Sequence, residues 1–162
     1  EHQALLRSRP VAGSAAIGRE FEKIRANTLQ RRIRRDSLLE DVLSMRSKMR
    51  AQLDKSTEAS FDLKQGEGGI GDIEFLVQYL VLRHAASHPE LIYYSDNIRQ
   101  LGALDAVGVL PAGDVARLQA IYRAYRLTTH RLALDDRAPV VPATEYPDER
   151  EFVRTVWLRE MR

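Results

Sequence analysis

The sequence predicts an all-α fold, a helical bundle of about six helices with one glycine-rich turn. Three observations lead there. Apolar residues recur at three- and four-residue spacing along most of the 162 residues, no segment sustains strand-like alternation, and the periodic segments are joined by short loops. A composition of 44% hydrophobic and 30% charged residues belongs to a folded chain with a core.

The elements follow in order. Residues Glu1 to Arg9 read as the tail of a helix stopped by Pro10 and Gly13. Ser14 can cap a second helix whose apolar face is Ile17, Phe21, Ile24 and Thr28. Leu38, Val42, Met45, Met49 and Leu53 form the stripe of a third, with Arg46, Lys48 and Arg50 on its other side. A central helix from Asp72 to about Ser87 is apolar almost all round, so neighbours must bury it on several sides. Ser95 caps a short helix through Ile98, Leu101 and Leu104, closed by Gly108. Asp114 can cap the longest helix, whose stripe is Val115, Leu118, Tyr122, Tyr125, Thr129 and Leu132. Residues 136–144, with two prolines, read as a loop. Pro147, followed by Asp148 and Glu149, opens a final helix that buries Phe152, Val153, Val156 and Trp157. Any sheet is expected to be no more than a short ribbon near Phe61 to Lys64.

Residues 1–162 are expected to form a single helical domain, with leading helices over 1–55, a central bundle over 61–135 and a closing helix over 147–162. A start at Glu1 without methionine and an end at Met161-Arg162 suggest a piece of something larger. Without cysteine there is no disulfide framework and no thiolate ligand or nucleophile. No apolar run approaches the roughly 20 residues of a membrane span. Twenty-five basic against 23 acidic residues describe a mixed surface, not that of a dedicated nucleic-acid binder. The one dense basic run, Arg31-Arg32-Ile33-Arg34-Arg35, is either a solvated helix end or a docking patch for an acidic or phosphorylated partner. His2, His84, His88 and His130 show no metal-ligand spacing.

The most distinctive stretch is Phe61 to Phe75. Gly66, Gly68, Gly69 and Gly71 lead into the central helix, with Lys64 before the turn and Asp72 and Glu74 after it. Gly66, Gly68 and Gly71 match the dinucleotide pattern G-x-G-x-x-G, but no βαβ unit surrounds them, so the match carries little. A glycine turn at a helix start either lets a phosphate approach unpaired N–H groups or simply turns the chain. Asp72 and Glu74 are either first-turn acids favouring the helix dipole or ligand contacts. Two residues apart on a helix, they point about 200° from one another and cannot chelate one ion unaided. Glu74 and Gln78 share a face. The cleft candidates are therefore Lys64, Gly68, Gly69, Asp72, Glu74 and Gln78; Tyr122 and Tyr125 read as core.

The segment Asp62-Leu63-Lys64-x-Gly66-x-Gly68-Gly69-Ile70-x-Asp72-Ile73-Glu74-Phe75-x-x-Gln78-Tyr79 resembles the signature region of bacterial glutamine synthetase adenylyltransferases, more the carboxy-terminal half than the first. The likeness extends from Glu1-His2-Gln3-Ala4-Leu5, through Met45-Arg46-x-Lys48-Met49-Arg50, Ser95-Asp96-Asn97-Ile98-Arg99 and His130-x-Leu132-Ala133-Leu134, to Glu149-Arg150-Glu151-Phe152-Val153-Arg154. The resemblance implies a cytoplasmic, magnesium-dependent nitrogen-control enzyme that moves AMP from ATP to a tyrosine of glutamine synthetase, removes it by phosphorolysis, and answers to a PII-type protein. It implies that catalysis sits on a polymerase-β-like domain with a metal-binding Asp-x-Asp. That pattern is absent here, since Asp135-Asp136 are adjacent. The resemblance thus implies the helical domain after it, lining the nucleotide or partner cleft. The alternative is a non-catalytic module docking glutamine synthetase or a PII protein. Two helices around Gly108 also admit a DNA-binding helix-turn-helix, with too few basic residues to carry it.

Overall fold

A computed structural model describes residues 2–31, 33 and 36–162. Its helices are α1 (His2–Arg7), α2 (Ala15–Arg31), α3 (Leu38–Leu53), α4 (Ile70–His84), α5 (Asn97–Ala106), α6 (Ala112–Leu134) and α7 (Pro147–Glu160). A 3₁₀ turn, Pro89–Ile92, joins α4 to α5. Among the described residues the only sheet is an antiparallel ribbon of β1 (Ser60–Asp62) and β2 (Val140–Pro142), in which Phe61 faces Val141. One half of this ribbon lies where the sequence predicts a ribbon, and the other half lies in the segment expected to be a loop. With no parallel pair among the described residues, the glycine spacing has no dinucleotide-binding context there.

The architecture is organised around α4. Ile73, Leu76, Val77, Val81 and Leu82 are fully buried, and α4 touches α1, α3, α5, α6, α7 and the 3₁₀ turn. An apolar circumference demands such enclosure, since each large side chain withdrawn from water contributes about 1.5–3 kcal/mol. The stripe of α6 behaves as its spacing predicts, with Val115, Leu118, Tyr122, Tyr125, Thr129 and Leu132 all buried. Tyr125 meets Phe61 of the ribbon edge-on at 5.9 Å and Tyr146 at 5.2 Å. Tyr146 precedes α7 with φ 60°, an uncommon conformation for a large residue, and its hydroxyl is 2.8 Å from that of Thr128. Pro147 is the first residue of α7, as expected.

Several boundaries and faces differ from expectation. Helix α4 starts at Ile70, ahead of Asp72. Asp96, not Ser95, caps α5 by accepting the Arg99 N–H at 3.0 Å. Pro111 precedes α6, and Asp114 pairs with Arg159 at 2.6 Å instead of capping. Phe152 and Trp157 are only partly buried, whereas Val153 and Val156 are enclosed. The largest departure is α2. Its inward residues are Arg25 and Leu29, while Ile17 and Ile24 are 73% and 59% exposed. Arg25 sets this rotation, because its guanidinium donates to the carbonyls of Leu5, Leu6 and Ile92 at 2.9–3.0 Å. Helix α3 is likewise rotated: Met45 and Leu53 face water and Arg46 is buried.

These burials predict opposite outcomes for two truncations measured by urea unfolding. Leu76→Ala opens a cavity in the core and costs about 2–5 kcal/mol. Ile24→Ala, on the outer face of α2, changes stability by less than about 0.5 kcal/mol.

Candidate functional site

The glycine turn is folded back upon itself. The Asp62 carboxylate accepts the N–H groups of Lys64 and Gln65 at 2.8 and 3.0 Å, and the Asp62 carbonyl accepts that of Gly66. The carbonyls of Gly66, Leu63 and Lys64 then accept the N–H groups of Gly69, Ile70 and Gly71 at 2.8–3.0 Å. The N–H groups at the start of α4 are thereby satisfied within the chain, and none is left for a phosphate. A Cβ on Gly68 would lie 2.6 Å from the Arg150 carbonyl, and φ there is +80°. One on Gly69 would lie 2.8 Å from the Leu63 carbonyl. Gly68 and Gly69 are buried and crowded by protein backbone. As cleft residues they are corrected: they permit backbone to approach backbone, not ligand.

Asp72 is corrected in the same way. It is 1% exposed, with the Arg46 Nε at 2.7 Å and the Arg50 Nη2 at 2.8 Å from Oδ1, while Oδ2 accepts the Gly68 N–H at 2.7 Å. Arg46 also donates to the carbonyl and side-chain oxygens of Gln65. One carboxylate therefore clamps α3, the turn and α4 together, and a ligand cannot reach it. Gln78 is buried as well.

Glu74 points the other way and meets a different set. Its Oε1 accepts the Tyr122 hydroxyl at 2.8 Å and the Asn97 Nδ2 at 3.1 Å; Oε2 lies 3.2 Å from the Arg7 guanidinium. Asn97 also donates to the Tyr122 hydroxyl at 2.9 Å. Burial first, and the Glu74 charge second, push the Tyr122 phenol above its ordinary value. In front of Glu74 opens a recess of about 290 Å³ where Arg7, Lys64 and Arg126 converge against Met49, Ile70 and Phe75. Of the six cleft candidates, the structure brings Lys64 and Glu74 together here.

Arg7, Asn97, Tyr122 and Arg126 are the residues that the sequence alone does not point to. Tyr122 sits in an apolar stripe that hides its hydroxyl, and Arg7 lies 67 positions from Glu74. Arg31 is exposed at the end of α2; Arg32, Arg34 and Arg35 lie outside the described residues. Among the described residues, no group of three or more His, Cys, Asp or Glu could hold a metal ion. Asp72, engaged by two guanidinium groups and a backbone N–H, has no oxygen open to a metal ion.

Removing the clamp should be costly. Asp72→Ala leaves Arg46 buried without its partner, and urea unfolding should register a loss of about 3–5 kcal/mol; Arg46→Met combined with Asp72→Leu should recover part of it. Tyrosine titration gives a second check. The phenols of Tyr122 and Tyr125 are both raised, chiefly by burial, so above about pH 10 the unfolded chain releases protons that the folded chain keeps. Stability is unaffected by these groups below that pH and falls as pH rises beyond it. The melting temperature should show this fall, and Tyr122→Phe should lessen it.

The GlnD PII-uridylyltransferase family model matches residues 36–139. The chain is 46% identical to the bifunctional glutamine synthetase adenylyltransferase/adenylyl-removing enzyme of Thioalkalivibrio sulfidiphilus, over 99% of this chain and 17% of that protein. It is 43% identical to the enzyme of that name from Pseudomonas syringae pv. tomato, over 97% of this chain and 17% of the relative. For Pseudomonas aeruginosa the values are 42%, 100% and 18%. The chain thus spans less than a fifth of the length of these relatives. A model matching 104 consecutive positions, including the whole glycine turn and α4, leaves one conclusion: the chain belongs to the GlnD PII-uridylyltransferase family.

Proposed function

We propose that this chain is the helical domain of a bifunctional enzyme that adenylylates and de-adenylylates a tyrosine of glutamine synthetase, with its recess lining the nucleotide side of the cleft. In this reading the 162 residues act as one helical unit, and the metal-binding Asp-x-Asp belongs to another domain of the longer protein. ATP is the AMP donor and Mg²⁺ is held by that other domain. Glutamine synthetase is the target, a PII-type protein is the regulator, and the setting is the cytoplasm.

The observation that carries the reading is the convergence of Lys64 and Glu74 on one recess beside a locked helix start. The likeness to named adenylyltransferases along nearly the whole chain supports it. The work assigned to this chain is binding and orientation. Lys64 supplies a mobile positive charge at the rim, and Glu74, fixed by Tyr122, Asn97 and Arg7, supplies an oriented acceptor suited to a hydroxyl or amine. No proton transfer or bond cleavage is assigned here. A docking role for glutamine synthetase or a PII-type protein is favoured by one separate observation, the exposed Ile17 and Ile24 on α2.

Two measurements test the reading. Purified alone with labelled ATP, Mg²⁺ and glutamine synthetase, the chain should transfer no AMP, because metal-assisted phosphoryl chemistry needs carboxylates that it lacks. In the longer enzyme, Lys64→Ala and Glu74→Gln should lower kcat/KM for ATP by more than their change in melting temperature explains. Tyr125→Ala is the control and should lose stability first, with activity falling only as folded protein is lost. Activity that merely tracks unfolding in all three variants would sink the reading.

A further inference from the structure

We infer that the recess in front of Glu74 is a phosphate subsite in which Arg7, Lys64 and Arg126 hold the oxyanion. The inference rests on the reading of this recess as part of a nucleotide cleft and names what the recess takes. Three cations surround a single carboxylate. That carboxylate is engaged on both oxygens, by hydrogen bonds from Tyr122 and Asn97 on one and by the Arg7 ion pair on the other. Lys64 and Arg126 have no side-chain hydrogen bond or ion pair among the described residues, so two positive charges remain for a ligand.

The surroundings strengthen the attraction. The low-dielectric wall of Met49, Ile70 and Phe75 on one side of the recess focuses the field of the exposed cations at its rim. At about 290 Å³ the recess lies at the small end of ligand pockets and has room for one or two phosphate groups. The backbone N–H groups at the start of α4 are already bonded, so side chains alone must hold the anion. Arg7 contributes from another helix, and its tie to Glu74 fixes where its charge sits. Phosphate oxygens of two origins share this chemistry: the tail of a nucleoside triphosphate, and free orthophosphate or pyrophosphate.

Titration calorimetry of the chain at low salt with orthophosphate, pyrophosphate and ATP tests the site. It is repeated on Lys64→Ala, Arg126→Ala and Arg123→Ala, with a melting temperature for each. Arg123 is an exposed cation on α6 that does not line the recess. The expected result is binding of at least one of the three anions that weakens about tenfold or more in each recess variant, the loss accompanying one charge-assisted hydrogen bond. Arg123→Ala should bind as the parent chain does, and all melting temperatures should agree. ATP binding tighter than the inorganic anions assigns the site to a nucleotide tail; the reverse order assigns it to free phosphate. No binding by any of the three, or equal weakening by Arg123→Ala, overturns the inference. Because the assay reads binding by this chain alone, it can fail while adenylyl transfer in the longer enzyme still depends on Glu74, and the reverse.

Discussion

Everything around the candidate site depends on how one buried carboxylate is neutralised. Asp72 lies almost wholly out of water, where an unpaired charge would cost several kcal/mol, and it is matched by Arg46 and Arg50 together with a backbone N–H. The partners come from different elements, so satisfying the charge fixes their relative placement. Arg46 reaches further and holds Gln65, which pins the loop ahead of the glycines. A helix start with this many internal bonds is rigid and electrically quiet. It fixes the backbone on either side of Lys64 and Glu74, and its own N–H groups are bonded within the chain.

The division of labour between Asp72 and Glu74 follows from helix geometry. At 100° per residue, neighbours two apart face nearly opposite sides, so one carboxylate can be consumed by structure while the other stays half open. Glu74 is held by a tyrosine and an asparagine from the two helices after α4 and by an arginine from the helix that opens the chain. Its orientation is therefore set by tertiary contacts on three sides. A carboxylate held in this way has little rotamer freedom left, which is the physical content of preorganisation.

The sequence made the helices legible because each carries a long periodic stripe or an apolar circumference. Helix α4 and the Tyr122–Tyr125 stripe of α6 behaved as their patterns predict. The faces of α2 and α3 did not, because Arg25 and Arg46 are buried, and a buried arginine has no periodic signature: it is drawn inward by carbonyls or a carboxylate that are distant in the chain. The site was legible in part for the same reason. Lys64 and Glu74 flank an unusual turn that attracts notice, whereas Arg7 and Arg126 reach the recess, and Asn97 reaches Glu74, only through folding. The glycines were conspicuous for a reason other than ligand approach, since the crowding that requires them comes from Arg150, Leu63 and Asp62.

The Gly68 N–H has a consequence for motion. Turn amides ordinarily exchange with solvent quickly, but this one is bonded to the Asp72 carboxylate, which is held in turn by two arginines of α3. If α3 frayed alone, it would strand a buried charge, so the helix and the turn must open as one cooperative unit. Local flexibility is thus denied to the very segment whose glycine content suggests it, and the recess moves, if at all, through the side chains at its rim.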